Sequence, residues 1–184
     1  MSRYVTRGGD KLEFALGALE VDPAGGVAAD LGSHIGGFVD CLLQHGARRV
    51  YSVDTSYGTL AWTLRQDERV VVMERTNALH VELDEPVDLV TVDVGWTKQR
   101  LIVPVAVGLV RPGGLVLSLL KPQYEADPAD VEGGLLPPDK ARAVAAEIVQ
   151  DLDKGGVPVA QWVESPIRGG KGNVEFFLKI EVEE

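Results

Sequence analysis

Short apolar runs alternate with longer segments of helical apolar spacing along the whole sequence, and this alternation leaves the chain very few possible folds. Strands separated by helices pair in parallel through right-handed crossovers. Residues 27–30, 49–54, 70–73, 87–93 and 115–120 read as strands, the first of them buried. Helices are predicted over 36–45, 59–66, 101–109 and 139–151. Pro104 weakens the third of these, since it must stand in the first turn or kink the helix. A further helix over 11–19 precedes the first strand and should lie over the sheet. The last two strands, near 157–163 and 174–180, have no helix between them. Their link, 164–173, is glycine-rich and short enough for a hairpin, so the final strand should run antiparallel to its neighbours. The expected fold is α/β: a doubly wound, Rossmann-like sheet, mostly parallel, with one antiparallel C-terminal strand.

The chain has 184 residues without a linker, repeat or low-complexity stretch, which predicts a single domain over 1–184. The lone Cys41 excludes an internal disulfide and a multi-cysteine zinc site, and its apolar neighbours suggest a buried helix position. No metal site is expected. The sequence opens without a charged-then-apolar leader, and no apolar run reaches the ~18 residues of a membrane span. A cytoplasmic protein with no membrane partner is therefore expected. A net charge of −10 argues against a phosphate-rich partner unless the basic residues share one face.

The first strand runs into Asp30-Leu31-Gly32-Ser33-His34-Ile35-Gly36-Gly37 before its helix. Ligands of open α/β sheets bind at the C-terminal strand ends, and glycines there let backbone approach the ligand. A dinucleotide site requires a middle glycine to seat a pyrophosphate; here that position is His34. Asp30 suits an ammonium group better than a phosphate. These features point to S-adenosylmethionine, which carries an amino-acid tail and no phosphate. Gly32, Ser33, Gly36, Gly37 and Phe38 complete the predicted loop site. Asp54, ending the second strand, can accept the ribose hydroxyls, and Asn77, following the third, can read adenine. His34 reads as a loop residue rather than a catalyst.

Four further polar residues should gather on the same rim. Asp93 ends the fourth strand, Lys121 ends the fifth, and Glu175 starts the antiparallel last strand, which brings its first residue to that rim. Lys11 begins the N-terminal helix after Arg7-Gly8-Gly9.

The segments Arg7-Gly8-Gly9-x-Lys11-Leu12, Asp30 to Leu43, Arg65-Gln66-Asp67, Glu74 to Ala78, Lys121 to Glu125 and Gly172 to Phe176 together resemble the TlyA branch of FtsJ-type methyltransferases. The resemblance runs from about residue 4 to residue 180. It implies adenosylmethionine bound by the Asp30 loop, Asp54 and Asn77. It also implies a Lys-Asp-Lys-Glu tetrad at Lys11, Asp93, Lys121 and Glu175, supporting methyl transfer to a ribose 2′-hydroxyl of ribosomal RNA. Methyl transfer from a sulfonium is an in-line displacement, so positioning and removal of the hydroxyl proton do most of the work. Lys121 either takes that proton or orients the hydroxyl.

Two departures bear on the acceptor. The family usually begins with an S4-type RNA-binding domain, whereas this sequence starts at the methyltransferase segment, so a separate RNA-binding partner chain or the ribosomal subunit itself is a candidate partner. The family also follows its catalytic Asp with Ser-Phe, whereas Asp93 is followed by Val94-Gly95-Trp96. Trp96 is a candidate to stack on a base, or to pack over the cofactor or the core. Arg7, Arg168 and Lys171 are candidate RNA contacts, in a basic set on the expected rim with Arg3, Lys11, Lys98, Arg100 and Lys121. Two alternatives remain: a methyltransferase acting on a small-molecule hydroxyl, and a non-catalytic adenosylmethionine-binding protein. The four polar residues argue against the second, and the glycine spacing argues against a nicotinamide dehydrogenase.

Overall fold

Val27–Leu31 (β1) is buried along its whole length because it lies in the middle of a sheet covered on both faces. In the computed structural model, which describes residues 2–183, β1 pairs in parallel with Arg49–Val53 (β2) on one side and Val87–Val92 (β4) on the other. Val70–Met73 (β3) extends the sheet beyond β2, and Val110–Leu120 (β5) extends it beyond β4, both in parallel. Phe176–Glu181 (β7) is inserted antiparallel between β5 and Gln161–Glu164 (β6), giving the order β3-β2-β1-β4-β5-β7-β6. The mostly parallel sheet and the reversed last strand are those expected from the sequence.

Successive residues of each strand serve opposite faces, as the pleat requires. Ala28, Val50, Leu89, Leu117 and Phe177 face Arg7–Ala18 (α1) and Gly37–Gln44 (α2), where they meet Leu12, Leu16, Phe38 and Leu42. Val27, Ala29, Tyr51, Val90, Val116 and Leu178 face Gln99–Leu109 (α4) and Pro138–Lys154 (α5), where they meet Ile102, Ala106, Ala141 and Ala145. Cys41 is fully buried in α2.

Several boundaries differ from expectation for local reasons. Helix α1 starts at Arg7, a turn early, because the Thr6 hydroxyl caps it by accepting from the Gly8 N–H at 3.3 Å. A side chain at Gly9 would stand 2.3 Å from the Tyr4 ring, so glycine there lets the ring close over the helix start. The helix expected over 59–66 is a single turn, Trp62–Arg65 (α3); Leu60 and Leu64 pack beneath Gly36. Helix α4 begins before Leu101, which puts Pro104 inside it rather than in the first turn, on an exposed face where water can take the carbonyl the ring leaves free. Strand β5 reaches back to Val110 through an irregularity that pairs Val87 with Val110 but Leu89 with Leu115. Edge strand β6 is confined to four residues. Among the described residues, no helix is long and apolar enough to cross a membrane, and no group of side chains could hold a metal ion.

Candidate active site

Parallel strands β1, β2, β4 and β5 all point their C-terminal ends at one rim, and reversed β7 brings its first residues there as well. Three cavities open along this rim, and Asp93 lines each of them.

The first holds about 310 Å³ and is lined by Gly32, His34, Asp54, Thr76, Asn77 and Asp93, among others. The second, about 70 Å³, lies on the other side of the Asp30 loop, against Thr6, Gly8, Ser33, Gly37 and Phe38. Gly32 has φ +89, and a Cβ there would stand 2.6 Å from the Asp93 carbonyl oxygen, so the loop passes as close to the β4 exit as backbone allows. Gly36 has φ +103, and a Cβ on Gly37 would reach 2.2 Å from Thr6 Oγ1. Ser33 is pinned by a hydroxyl contact of 2.8 Å with Ser52.

The carboxylates of this region differ in what they have left to offer. Asp30 is buried; one oxygen accepts from Thr91 Oγ1 at 2.7 Å and the other has no hydrogen-bond partner among the described residues. Burial pushes its pKa up to about 8, against the Thr91 bond and with the help of the nearby Asp93 and Asp54 charges. Such a group calls for an ammonium to ionise against, and the amino end of an adenosylmethionine tail provides one. Burial also acts to raise Asp54, but hydrogen bonds from Ser56 and from the His34 N–H outweigh it and hold the carboxyl below its ordinary range. Asp54 accepts those backbone bonds at 2.7 and 2.8 Å, one on each oxygen. Each oxygen keeps a lone pair for a ribose hydroxyl. Asn77 accepts from the Leu79 N–H at 3.0 Å, capping a short turn, so its amide N–H₂ is the end free to meet a ligand in the cavity. The residues present thus fit adenosylmethionine in both its polar ends.

The third cavity, about 540 Å³, gathers Lys11, Asp93, Lys121 and Glu175 with Trp96, Gln123, Tyr124, Lys171 and Asn173. The four expected polar residues form two ion pairs. Lys11 Nζ lies 2.5 Å from Glu175 Oε2, and Lys121 Nζ lies 2.6 Å from Asp93 Oδ1. Lys121 also donates to the Val94 carbonyl at 3.3 Å. Glu175 is 2% exposed, and Gly169 makes room for it: a Cβ on Gly169 would fall 1.9 Å from Glu175 Oε1.

The segment after Asp93 is fastened to the one after Lys121. Lys98 Nζ donates to the Tyr124 and Glu125 carbonyls at 2.6 and 3.1 Å, and the Gln99 N–H donates to Glu125 Oε1 at 2.8 Å. Burial raises the Glu125 carboxyl in spite of these contacts. Trp96, in left-handed conformation, is 79% exposed and meets Tyr124 edge-on at 6.0 Å, so it is not a core residue.

The candidate RNA contacts are dispersed. Lys171 lines the third cavity, but its ammonium donates to the Gly133 carbonyl at 2.6 Å. Arg168 lines none of the three cavities and pairs with Glu164 at 3.2 Å. Arg7 and Arg100 are exposed, and Arg3 pairs with Glu13 at 2.9 Å. Sequence reasoning overlooked Thr6, Gln123, Tyr124 and Asn173 as cavity residues. Asn173 is buried; it accepts from the Leu136 N–H at 2.9 Å and donates to the Gly134 and Gly170 carbonyls at 2.8 and 2.9 Å, tying two loops into one wall. Its place beside Glu175 in Gly172-Asn173-Val174-Glu175 was the available signal.

Known proteins are similar to this chain. The chain is 43% identical to YqxC of Bacillus subtilis over 97% of its length, and 39% identical to the 16S/23S rRNA (cytidine-2′-O)-methyltransferase TlyA of Mycobacterium tuberculosis over 95%. It spans 66% and 67% of those relatives' own lengths. A solved structure named as a hemolysin, from Streptococcus thermophilus, superposes with a TM-score of 0.93 at 34% identity, covering 100% of this chain and 69% of that one. The family model described as FtsJ-like methyltransferase matches residues 4–181, a span that takes in every strand of the sheet and all three cavities, and the chain belongs to that family.

Proposed function

We propose that this protein is an S-adenosylmethionine-dependent methyltransferase that modifies a ribose 2′-hydroxyl of ribosomal RNA in the cytoplasm. The observation that carries this reading is the pair of ion pairs, Lys11–Glu175 and Lys121–Asp93, lining one cavity that shares Asp93 with the cofactor cavities. The cofactor, when bound, supplies a methyl group on a sulfonium. The chain's own part is to hold the acceptor hydroxyl in line and deal with its proton. Lys121 Nζ, between Asp93 and the Val94 carbonyl, orients that hydroxyl as an ammonium, or takes its proton as a neutral amine after releasing a proton of its own to solvent. Lys11 and Glu175 line the same cavity as a largely buried pair that keeps its geometry without solvent. A module that only bound adenosylmethionine would not need these two pairs beside the cofactor cavities. The TlyA relative's action on cytidine 2′-hydroxyls supports the choice of acceptor.

Cofactor binding is expected to appear as thermal stabilisation. At ~100 times its dissociation constant, a ligand adds about 2.7 kcal/mol. The melting temperature should rise with adenosylmethionine and not with NAD, and the rise should shrink in Asp54→Ala. A response to NAD alone would reverse the cofactor assignment.

RNA binding is expected to weaken with salt by about 0.7 log units per log unit of salt for each phosphate neutralised on a single strand. Replacing Arg168 and Lys171 by Ala should flatten that slope and leave adenosylmethionine affinity unchanged. An RNA with 2′-deoxyribose at the target should accept no methyl group; methylation of it would move the reaction to the base. The charge of −10 and the internal engagement of Arg168 and Lys171 favour the second reading, a small-molecule hydroxyl as acceptor. Labelling of a small molecule, with no RNA or ribosomal particle labelled, would establish it.

A further inference from the structure

Adenosylmethionine has a carboxylate as well as an ammonium on its tail, and the cavity beside Asp30 offers it mainly uncharged donors. The carboxyl side chains there, Asp30 and Asp93, have the wrong sign. Thr6 and Ser33 contribute hydroxyls, and Gly37 and Phe38 contribute first-turn N–H groups of α2, which have no partner inside the helix. His34 stands apart: among the residues lining the first two cavities, it is the one whose side chain can carry positive charge. It lines both, so it sits where the nucleoside part of the ligand meets the tail. Its position is built rather than incidental. The residue adopts φ +49, a conformation uncommon outside glycine, and its N–H is held by Asp54 Oδ2 at 2.8 Å.

We propose that the His34 imidazole, in its protonated form, binds the carboxylate of the cofactor's amino-acid tail. His34 is then a binding residue in the position where dinucleotide folds require glycine, and cofactor affinity falls as pH rises through the histidine range. The groups facing it are Asp54 from the end of β2, Asp93 from the end of β4 and Asp30 from β1. Lys11 and Lys121 are engaged with Glu175 and Asp93 in the neighbouring cavity. Arg7 is exposed between Thr6 and Gly8 and lines neither cavity. Asp30 acts in the opposite sense: it must be ionised to meet the tail ammonium, so its contribution to affinity grows as pH rises towards about 8. The affinity of the wild type relative to a His34 variant cancels that contribution and isolates the ring.

The inference rests on the cofactor reading above, and the test separates the two. Dissociation constants for S-adenosylhomocysteine, which keeps the tail, and 5′-methylthioadenosine, which lacks it, are measured by calorimetry between pH 5.5 and 8. Wild type is compared with His34→Asn, since asparagine tolerates the left-handed backbone. For S-adenosylhomocysteine, wild type should bind about fivefold more tightly than the variant at the acid end, the scale of a partly exposed ion pair, and the advantage should vanish near pH 8. For 5′-methylthioadenosine the two proteins should differ equally at every pH. Proton NMR of the imidazole gives a reading independent of any variant: His34 should stay protonated to higher pH with S-adenosylhomocysteine bound, and not with 5′-methylthioadenosine. A pH-indifferent ratio for S-adenosylhomocysteine, or the same pH effect with both ligands, overturns the role of His34 and leaves the cofactor reading standing. Failure of wild type to bind either ligand overturns both.

Discussion

Lys121→Ala is expected to lose methyl transfer by about 10²–10⁴-fold, the range for removing a proton-transfer group, while keeping its affinity for S-adenosylhomocysteine. Lys121 lines the third cavity and neither of the first two, so on the proposed reading its loss falls on turnover rather than on binding. Lys121→Arg should also fail. A guanidinium keeps its charge, and its planar fork does not fit the space between Asp93 Oδ1 and the Val94 carbonyl, where a single ammonium is held at 2.6 and 3.3 Å. Single-turnover rates with saturating cofactor, beside calorimetric affinities, separate the two quantities. A Lys121→Ala enzyme that methylates at the wild-type rate would falsify the assigned mechanism.

Gly169→Ala should be nearly as damaging, although the residue touches neither substrate nor cofactor. Its backbone, at φ −73 and ψ −168, is one alanine adopts freely, so the whole effect is steric. The new methyl would stand 1.9 Å from Glu175 Oε1 and 2.5 Å from its Cδ, forcing the carboxylate away from Lys11. Displacing a group by about an ångström costs on the order of 10²-fold in rate, and crowding a packed site costs about 1–3 kcal/mol of stability. Gly170→Ala is the control, since nothing lies within 4 Å of the added carbon. Equal activity of the two variants would show that the Lys11–Glu175 geometry does not matter to turnover.

The sheet was legible because its signal is periodic. Runs such as Val87–Val92 and the Asp30 loop announce themselves within a dozen residues, and the reversed last strand follows from one missing helix. Boundaries were less legible where a single contact decides them: the Thr6 cap for α1, the Leu60 and Leu64 packing under Gly36 for the shortened α3. The rim residues could be gathered by topology, since strand ends share an edge. How they pair could not, because Lys11 meets Glu175 across 164 positions and no local pattern encodes that partner. The same holds for the wall joined by Asn173 and Lys171 to the loop at Gly133 and Gly134. Arg168 and Lys171 looked available to a ligand in sequence and are engaged internally by an acid and a carbonyl.

The insertion of β7 between β5 and β6 has a consequence for how the protein is made. The sheet's last strand in chain order is an interior one, and among the described residues β6 pairs with no other strand. Until residues 176–181 arrive, β5 keeps an open edge, and Leu117 and Leu119 lack the cover of Phe177. Unpaired edges and uncovered apolar faces are what chaperones and aggregation both recognise. Glu175 directly precedes the strand, so the sheet closes and the fourth polar group arrives in one event. Translation arrested short of that point yields a chain with an adhesive flank and three of the four groups, and completion of β7 relieves both deficits together.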